Sequence, residues 1–170
     1  MIHLYTGNGK GKTSAAIGLA VRAAGRGQRI CFSQFMKGSD SGELYAMRCL
    51  PQIEILRSEK DYGFYSFMSE QDKKELTEVH NRILRSLLLA AQEGRCQVIV
   101  LDEITYPVNW GLLDISLLKN LLSFADRIEI VLTGRDPADF LTECADYLTE
   151  MQNRRHPYEK GTPARIGIEY

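Results

Sequence analysis

Eight consecutive residues near the start of the chain, Gly7-Asn8-Gly9-Lys10-Gly11-Lys12-Thr13-Ser14, combine the residue types that hold a phosphate. Glycines let successive backbone N–H groups curl toward one anion, because a Cβ would block both the turn and the close approach. A helix opening near Lys12 adds unpaired N–H groups and the positive end of its dipole. Lys12 can place a point charge on phosphate oxygens, and the Thr13 hydroxyl can ligate a phosphate-bound Mg²⁺. The spacing follows G-x-x-x-x-G-K-[ST], except that Thr6 holds the first glycine position, with Gly7 and Gly9 supplying flexibility beside it. A second chemical signal comes later: Val98-Ile99-Val100-Leu101-Asp102-Glu103 is an apolar run ending in paired carboxylates, the Walker B form. At the C-terminal edge of a parallel sheet these oxygens face the same crevice as the glycine loop. One of them can hold the metal directly or through water. The two signals together imply a nucleoside triphosphate with Mg²⁺. On the residues alone its fate stays open: Glu103 is either the base that orients water toward the γ-phosphate or only a metal ligand.

Such residues converge only if strands and helices alternate around them. Ile2 to Tyr5 is apolar and β-prone and stops at Thr6-Gly7-Asn8-Gly9, a run of turn formers. Ala15, Ala16, Leu19, Ala20 and Ala23 recur at helical spacing between Lys12 and Gly25, and Arg29 to Phe35 reads as a second strand. Strand, glycine loop, helix, strand is the βαβ unit of a parallel sheet. A mobile loop is expected over 36–43, then a short helix from Leu44 to Cys49 and a third strand over Ile53 to Leu56. Residues 61–68 form a loop rich in aromatics. Ser69 and Asp72 have capping-box spacing ahead of a stripe of Leu76, Val79, Ile83, Leu87 and Ala90, which Gly94 ends. Gln97 to Leu101 is apolar on both faces, as a central parallel strand is. A helix over 112–124, a strand over 127–132, a short helix near Pro137 and Asp139, and a strand over 147–151 complete the pattern. From Gln152 the chain is polar and basic, and it closes with strand-like Ile166-Gly167-Ile168-Glu169-Tyr170. With no repeat or linker, the reading is a single nucleotide-binding α/β domain over 1–170, carrying a basic tail segment over 152–170.

Composition narrows the class. The 170 residues fit one domain, and the 44% hydrophobic and 25% charged content is that of an ordinary globular protein, which excludes wholesale disorder. Lys plus Arg total 21 against 22 for Asp plus Glu, so a net charge of −1 gives no general attraction to nucleic acid or to an anionic membrane. The basic tail reads as a solvated surface or a cover on the phosphate side. Cys31, Cys49, Cys96 and Cys144 are scattered without C-x-x-C spacing and read as buried, reduced thiols of an intracellular protein. No apolar run approaches the ~20 residues of a membrane span, and no signal core follows Met1; a cytoplasmic location is expected. His3 and His80 read as structural residues, and His156 in the tail has no assigned role.

The motifs taken in order resemble one family, the P-loop-type ATP:corrinoid adenosyltransferases, also called cob(I)alamin adenosyltransferases. The landmarks are Thr6 to Thr13, Arg22-Ala23-Ala24-Gly25, Gln34-Phe35-Met36-Lys37-Gly38 with Gly42-Glu43, Val100 to Tyr106, Leu132-Thr133-Gly134-Arg135, and Arg155-His156 through Gly161 to Gly167-Ile168-Glu169-Tyr170. The resemblance covers essentially the whole chain. It implies a RecA-like P-loop fold, α/β with a mostly parallel central sheet flanked by helices, and a homodimer. It implies transfer of the 5′-deoxyadenosyl group from ATP to the cobalt(I) of a corrinoid, with release of triphosphate. In that family the loop holds ATP in the reverse sense, presenting C5′ rather than the γ-phosphate. Attack at carbon by cobalt(I) needs no general base, so the protein's task is alignment and stabilisation of leaving-group charge.

Carried over residue by residue, the resemblance assigns ATP to Thr6, Gly7, Asn8, Gly9, Lys10, Gly11, Lys12, Thr13 and Ser14, with Arg22 as a further contact. Lys12 and Lys10 take the catalytic part of neutralising the departing triphosphate, and Thr13, Glu103 and Asp102 hold Mg²⁺ or Mn²⁺. Gly63-Phe64-Tyr65-Ser66-Phe67 resembles the segment that places an aromatic pair beneath the corrin ring. Phe64 is one member of that pair, and Tyr65 or Phe67 is the other. A ligand-free apolar lower face leaves cobalt(II) four-coordinate and easier to reduce. An electron-donating flavoprotein is the partner this chemistry admits. Trp110 is expected beside the sheet edge. Larger members carry an N-terminal extension over the corrinoid, so enclosure here is expected to be looser or supplied by another segment. Two readings compete: a RecA-like ATPase or small nucleotide kinase, and a nucleotide-gated corrinoid carrier.

Overall fold

The computed structural model of the protein describes residues 1–155, 161 and 163–168. Among these residues six strands, β1 (Ile2–Thr6), β2 (Ile30–Gln34), β3 (Ile53–Arg57), β4 (Val98–Asp102), β5 (Glu129–Thr133) and β6 (Tyr147–Glu150), form one sheet in the order β3-β2-β4-β5-β1-β6. Every pairing is parallel. The helices are α1 (Lys12–Ala24), α2 (Gly42–Arg48), α3 (Glu70–Gln92), α4 (Thr105–Asn109), α5 (Ile115–Leu122) and α6 (Asp139–Glu143). They cover both faces, so β2 and β4 are buried along their whole length, which is why they lack polar alternation and are apolar up to Phe32 and Leu101, ending in the buried polar residues Ser33, Gln34 and Asp102. On one face Ala16, Ala20 and Ala24 of α1 pack with Leu44 and Met47 of α2 against Phe32, Val100 and Val131. On the other, Leu84 and Leu87 of α3 and Leu118 and Leu121 of α5 pack against Ile99, Leu101 and Ile130. The small side chains of α1 let its backbone lie close to the sheet, which fixes where the glycine loop ahead of it opens.

Register brings the chemistry to one edge. Gln34 aligns with Asp102, Leu101 with Leu132, and Tyr5 with Thr133. The loops leaving β1, β2, β4 and β5 therefore meet outside the carboxyl ends of the strands, where ligands of open α/β sheets bind. The α/β expectation with flanking helices holds, consistent with a P-loop, RecA-like fold. No helix among the described residues is long and apolar enough to cross a membrane.

Several local expectations change. The helix expected over 112–124 begins at Ile115, because the Asp114 carboxylate accepts the Ser116 N–H at 2.8 Å and caps it, and it ends at Leu122. Leu112 and Leu113 remain outside it as buried core. Helix α4 was not anticipated; its Pro107 sits in the first turn, where no intrahelical N–H is needed. Helix α2 starts at Gly42 rather than Leu44. The aromatic loop contains one turn of 3₁₀ helix, Tyr65–Phe67. The Ser69–Asp72 capping box forms as its spacing implied. Residues 166–168 are a turn instead of a strand, while His156, Glu169 and Tyr170 lie outside the described residues. All four cysteines are free, but only Cys31 and Cys96 are buried; Cys49 is exposed and Cys144 partly so.

Candidate functional site

The glycine loop is shaped as much by its neighbours as by any ligand. Gly7 (φ 92°) and Gly11 (φ 118°) take left-handed conformations, Gly11 immediately ahead of α1. A Cβ on Gly7 or Gly9 would overlap the Met151 carbonyl, to which the Gly9 N–H donates at 2.7 Å. The Asn153 N–H donates to Asn8 Oδ1 at 3.0 Å. The chain leaving β6 thus braces the loop from outside, a contact that no local pattern reveals. Lys12 Nζ donates to the Gly7 and Gly9 carbonyls at 2.7 and 2.9 Å, which holds the ammonium across the loop. Burial, then Arg135, draw the Lys12 pKa below its ordinary value, and Glu103 and Asp102 oppose them.

The two carboxylates have separate surroundings. Asp102 is fully buried. Its Oδ1 accepts the Thr13 hydroxyl at 2.8 Å and the Thr133 hydroxyl at 2.7 Å, and its Oδ2 faces Lys37 Nζ at 3.1 Å. Glu103 sits in a left-handed conformation (φ 62°), with its N–H donated to Thr133 Oγ1 at 2.8 Å. Next to Thr133, Gly134 (φ 147°) packs so closely on Thr105 that a Cβ there would overlap the threonine side chain. One hydroxyl, Thr133 Oγ1, therefore aims both members of the carboxylate pair. Glu103 Oε2 is buried with no hydrogen-bond partner among the described residues, and burial, then Asp102, raise the Glu103 pKa against the pull of Lys37, Lys12 and Arg135. The Glu103 carboxylate and the Thr13 hydroxyl, which line the same cleft, are oxygen donors of the kind Mg²⁺ takes. Asp102, with its oxygens taken by Thr13, Thr133 and Lys37, stands behind that set and orients it. Among the described residues no group of three or more His, Cys, Asp or Glu could hold a metal ion.

These groups open into a cleft of about 1110 Å³ lined by Asn8 to Ser14, Lys37, Glu43, Glu103, Tyr106 and Arg135, among others. The sequence-predicted Asn8, Gly9, Lys10, Gly11, Lys12, Thr13, Ser14 and Glu103 all reach it. Thr6 and Gly7 form the stem below; Thr6 is buried and its carbonyl accepts the Met151 N–H at 2.8 Å. Arg22 is exposed in the last turn of α1 and does not line the cleft. Lys37, Glu43, Tyr106 and Arg135 stand among the sequence landmarks but carry no site role there. The available signal was position: Lys37 and Arg135 follow the ends of β2 and β5. Burial lowers the Lys37 pKa, but the charge and hydrogen bond of Asp102 more than offset it, so the net shift is upward. Met36 (φ 59°) turns the chain toward the cleft, and its N–H donates to His80 Nε2 at 3.4 Å. His80 Nδ1 donates in turn to the Leu112 carbonyl at 2.9 Å, and burial holds this imidazole at a pKa of about 4.

The aromatic loop sorts into two groups. Tyr65 stacks on Trp110 at 4.4 Å and 12°, with Lys73 Nζ 5.0 Å from its ring. Trp110 thus packs against this loop. Phe64 and Phe67 are 80% and 86% exposed. They are joined by a bond from the Phe67 N–H to the Phe64 carbonyl at 2.9 Å, Phe64 being the extended residue that caps the 3₁₀ turn. The loop is tied down by Lys60, whose ammonium meets Asp72 at 3.2 Å and Glu75 at 2.9 Å. None of these aromatics lines the phosphate cleft.

A family model described as ATP:corrinoid adenosyltransferase BtuR/CobO/CobP matches residues 1–170. The corrinoid adenosyltransferase of Escherichia coli K12 is 31% identical over 173 residues, spanning 100% of this chain and 85% of that protein. The corrinoid adenosyltransferase of Pseudomonas aeruginosa is 31% identical over 170 residues, spanning 98% and 82%. That of a Sinorhizobium species is 28% identical over 181 residues, spanning 100% and 80%.

Proposed function

Because the chain belongs to the ATP:corrinoid adenosyltransferase BtuR/CobO/CobP family, we propose that it transfers the 5′-deoxyadenosyl group of ATP to the cobalt of a reduced corrinoid and releases triphosphate. The observation that carries this reading is the match across residues 1–170 in a chain whose glycine loop and Glu103 line one open cleft. The 1–170 chain acts as one nucleotide-binding domain. ATP lies with its triphosphate on the amides of residues 7–14 and its C5′ turned toward the incoming corrinoid. Lys10 and Lys12 neutralise the phosphates. Thr13 and Glu103 hold Mg²⁺ or Mn²⁺, which supplies further neutralisation of the triphosphate when bound; Asp102 keeps Thr13 in place. Glu103 activates no water, since attack at carbon requires no base. Phe64 and Phe67 are the pair that lies beneath the corrin ring. Their exposed phenyl groups suit a flat apolar face, whereas Tyr65 is committed to Trp110 and Lys73. The enzyme works in the cytoplasm as a homodimer that receives electrons from a flavoprotein.

Anaerobic incubation with ATP and chemically reduced corrinoid tests this. A cobalt–carbon absorbance band that bleaches in light, with one intact triphosphate per adenosyl group, is expected. ADP and orthophosphate would instead mean cleavage of a phosphoanhydride bond, and binding of both ligands without product would mean a carrier.

A further inference from the structure

Along the carboxyl edge of the sheet the glycine loop follows β1 and the aromatic loop follows β3, with β5, β4 and β2 between them. Lys37, just after β2, stands on the path from one to the other. Its position is built in. Met36 makes a left-handed turn before it, and Gly38 after it packs so tightly on the backbone of Lys60 and Asp61 that a Cβ would overlap them. The side chain is 32% exposed, lines the cleft, and has its ammonium 3.1 Å from Asp102 Oδ2. Asp102 Oδ1 meanwhile accepts the Thr13 hydroxyl. A single buried carboxylate therefore fixes the Lys37 ammonium relative to the residue that meets the phosphates. An ammonium carries three donors; among the described residues Asp102 takes one, and the side chain's exposed part faces the cleft. Lys12, by contrast, is held across the loop by two carbonyls, and Arg135 follows β5, on the glycine-loop side of β4.

We propose that Lys37 is a catalytic residue of the transfer, its ammonium donating to the O5′ oxygen on the α-phosphate as that oxygen departs. The inference rests on the adenosyl-transfer reading above. In that step the cobalt(I) electron pair forms the Co–C5′ bond while the C5′–O5′ bond breaks and its pair stays on O5′. Cobalt is formally oxidised from I to III, the adenosyl carbon is formally reduced by two electrons, and no proton moves. Negative charge grows on O5′ only as the bond breaks. A cation fixed there stabilises the transition state and the triphosphate product more than bound ATP, which is the condition for raising kcat rather than lowering KM.

The test compares wild type with Lys37→Met, Lys37→Gln and Lys37→Arg. Removing one preorganised donor of this kind costs about 10²–10³-fold in kcat, so Lys37→Met is expected to lose at least about 10²-fold in kcat with the KM for ATP changed by less than about threefold. Binding separates the roles: inorganic triphosphate should bind Lys37→Met at least about tenfold more weakly, ATP less than about threefold. Lys37→Arg should recover part of kcat. Unchanged kcat, or parallel losses for ATP and triphosphate with a lowered melting temperature, would overturn the assignment and leave Lys37 as a prop for Asp102. Lys37→Gln, which keeps a donor for Asp102, gives the same comparison if the Met variant fails to fold. Wild-type enzyme that yields ADP from ATP would sink the adenosyl-transfer reading itself; wild-type triphosphate release with an unaffected Lys37→Met would sink only the role of Lys37.

Discussion

Thr133→Val removes a single oxygen at nearly constant volume, and the structure puts a magnitude on the loss. The Thr133 hydroxyl donates to buried Asp102 at 2.7 Å and accepts the Glu103 N–H at 2.8 Å. A hydrogen bond to a buried charge contributes about 1.5–3 kcal/mol, and leaving the Glu103 N–H without an acceptor costs about 1–3 kcal/mol more. Asp102 retains Thr13 and Lys37, so the lower part of the summed range, about 3 kcal/mol, is expected. For a chain of this size each kcal/mol moves the melting temperature by about 2–4 °C, which gives a fall of about 6–12 °C. Glu103 loses the bond that holds its left-handed backbone, so its carboxylate is no longer aimed. Loss of such a supporting contact weakens metal binding by about 10–100-fold. Thermal unfolding without ligands reads the first effect, and a Mg²⁺ titration of nucleotide binding reads the second. Thr133→Ser, which keeps the hydroxyl, should restore most of both. A Thr133→Val protein melting within about 1 °C of wild type, with an unchanged Mg²⁺ midpoint, would refute the argument that one hydroxyl aims both carboxylates.

Two further outcomes follow from single side chains. Phe64→Ser removes an exposed ring, so stability should stay within about 0.5 kcal/mol of wild type, while reduction of cobalt(II) falls more than reaction of chemically supplied cobalt(I); equal losses in the two assays would mean that the ring only packs the loop. His80 is buried as the neutral base at a pKa of about 4 against 6.5 in the open chain, so its contribution is complete above pH 6.5 and is lost as the pH falls toward 4. The loss between pH 7.5 and 4.5 is about 2–3 kcal/mol, and His80→Gln should flatten the stability profile over that window in urea unfolding; an equally steep profile would show that other groups carry the acid sensitivity.

The chemical core of the site is legible because it is local. Gly9, Gly11, Lys12 and Thr13 sit on one loop and one helix start, and Asp102 and Glu103 end one apolar strand, so pattern and spacing place them without any knowledge of distant contacts. The same holds for the parallel sheet, whose buried strands lack alternation, and for the Ser69–Asp72 box. The misread elements fail for the opposite reason. Asp114 ends one apolar stretch and caps the next helix, so the periodicity through Leu112 and Leu113 looked helical although both residues belong to the core. Arg22 lies on the right helix but points out of the cleft, because α1 carries it about 15 Å beyond Lys12 at 1.5 Å per residue.

Sequence alone was enough to place the glycine loop, Lys12, Thr13 and the Asp102–Glu103 pair on one side of a parallel sheet, and to give the order in which strands and helices carry them, since both follow from neighbours along the chain. It could not say that Thr133 is shared by Asp102 and Glu103, that Met151 fills the space a Cβ on Gly9 would need, or that Lys37 leans on Asp102. Nor could it say that Tyr65 is taken by Trp110 while Phe64 and Phe67 stay open. Each of these joins segments far apart in the chain. Their meeting is set by strand order and register, which a one-dimensional pattern does not encode.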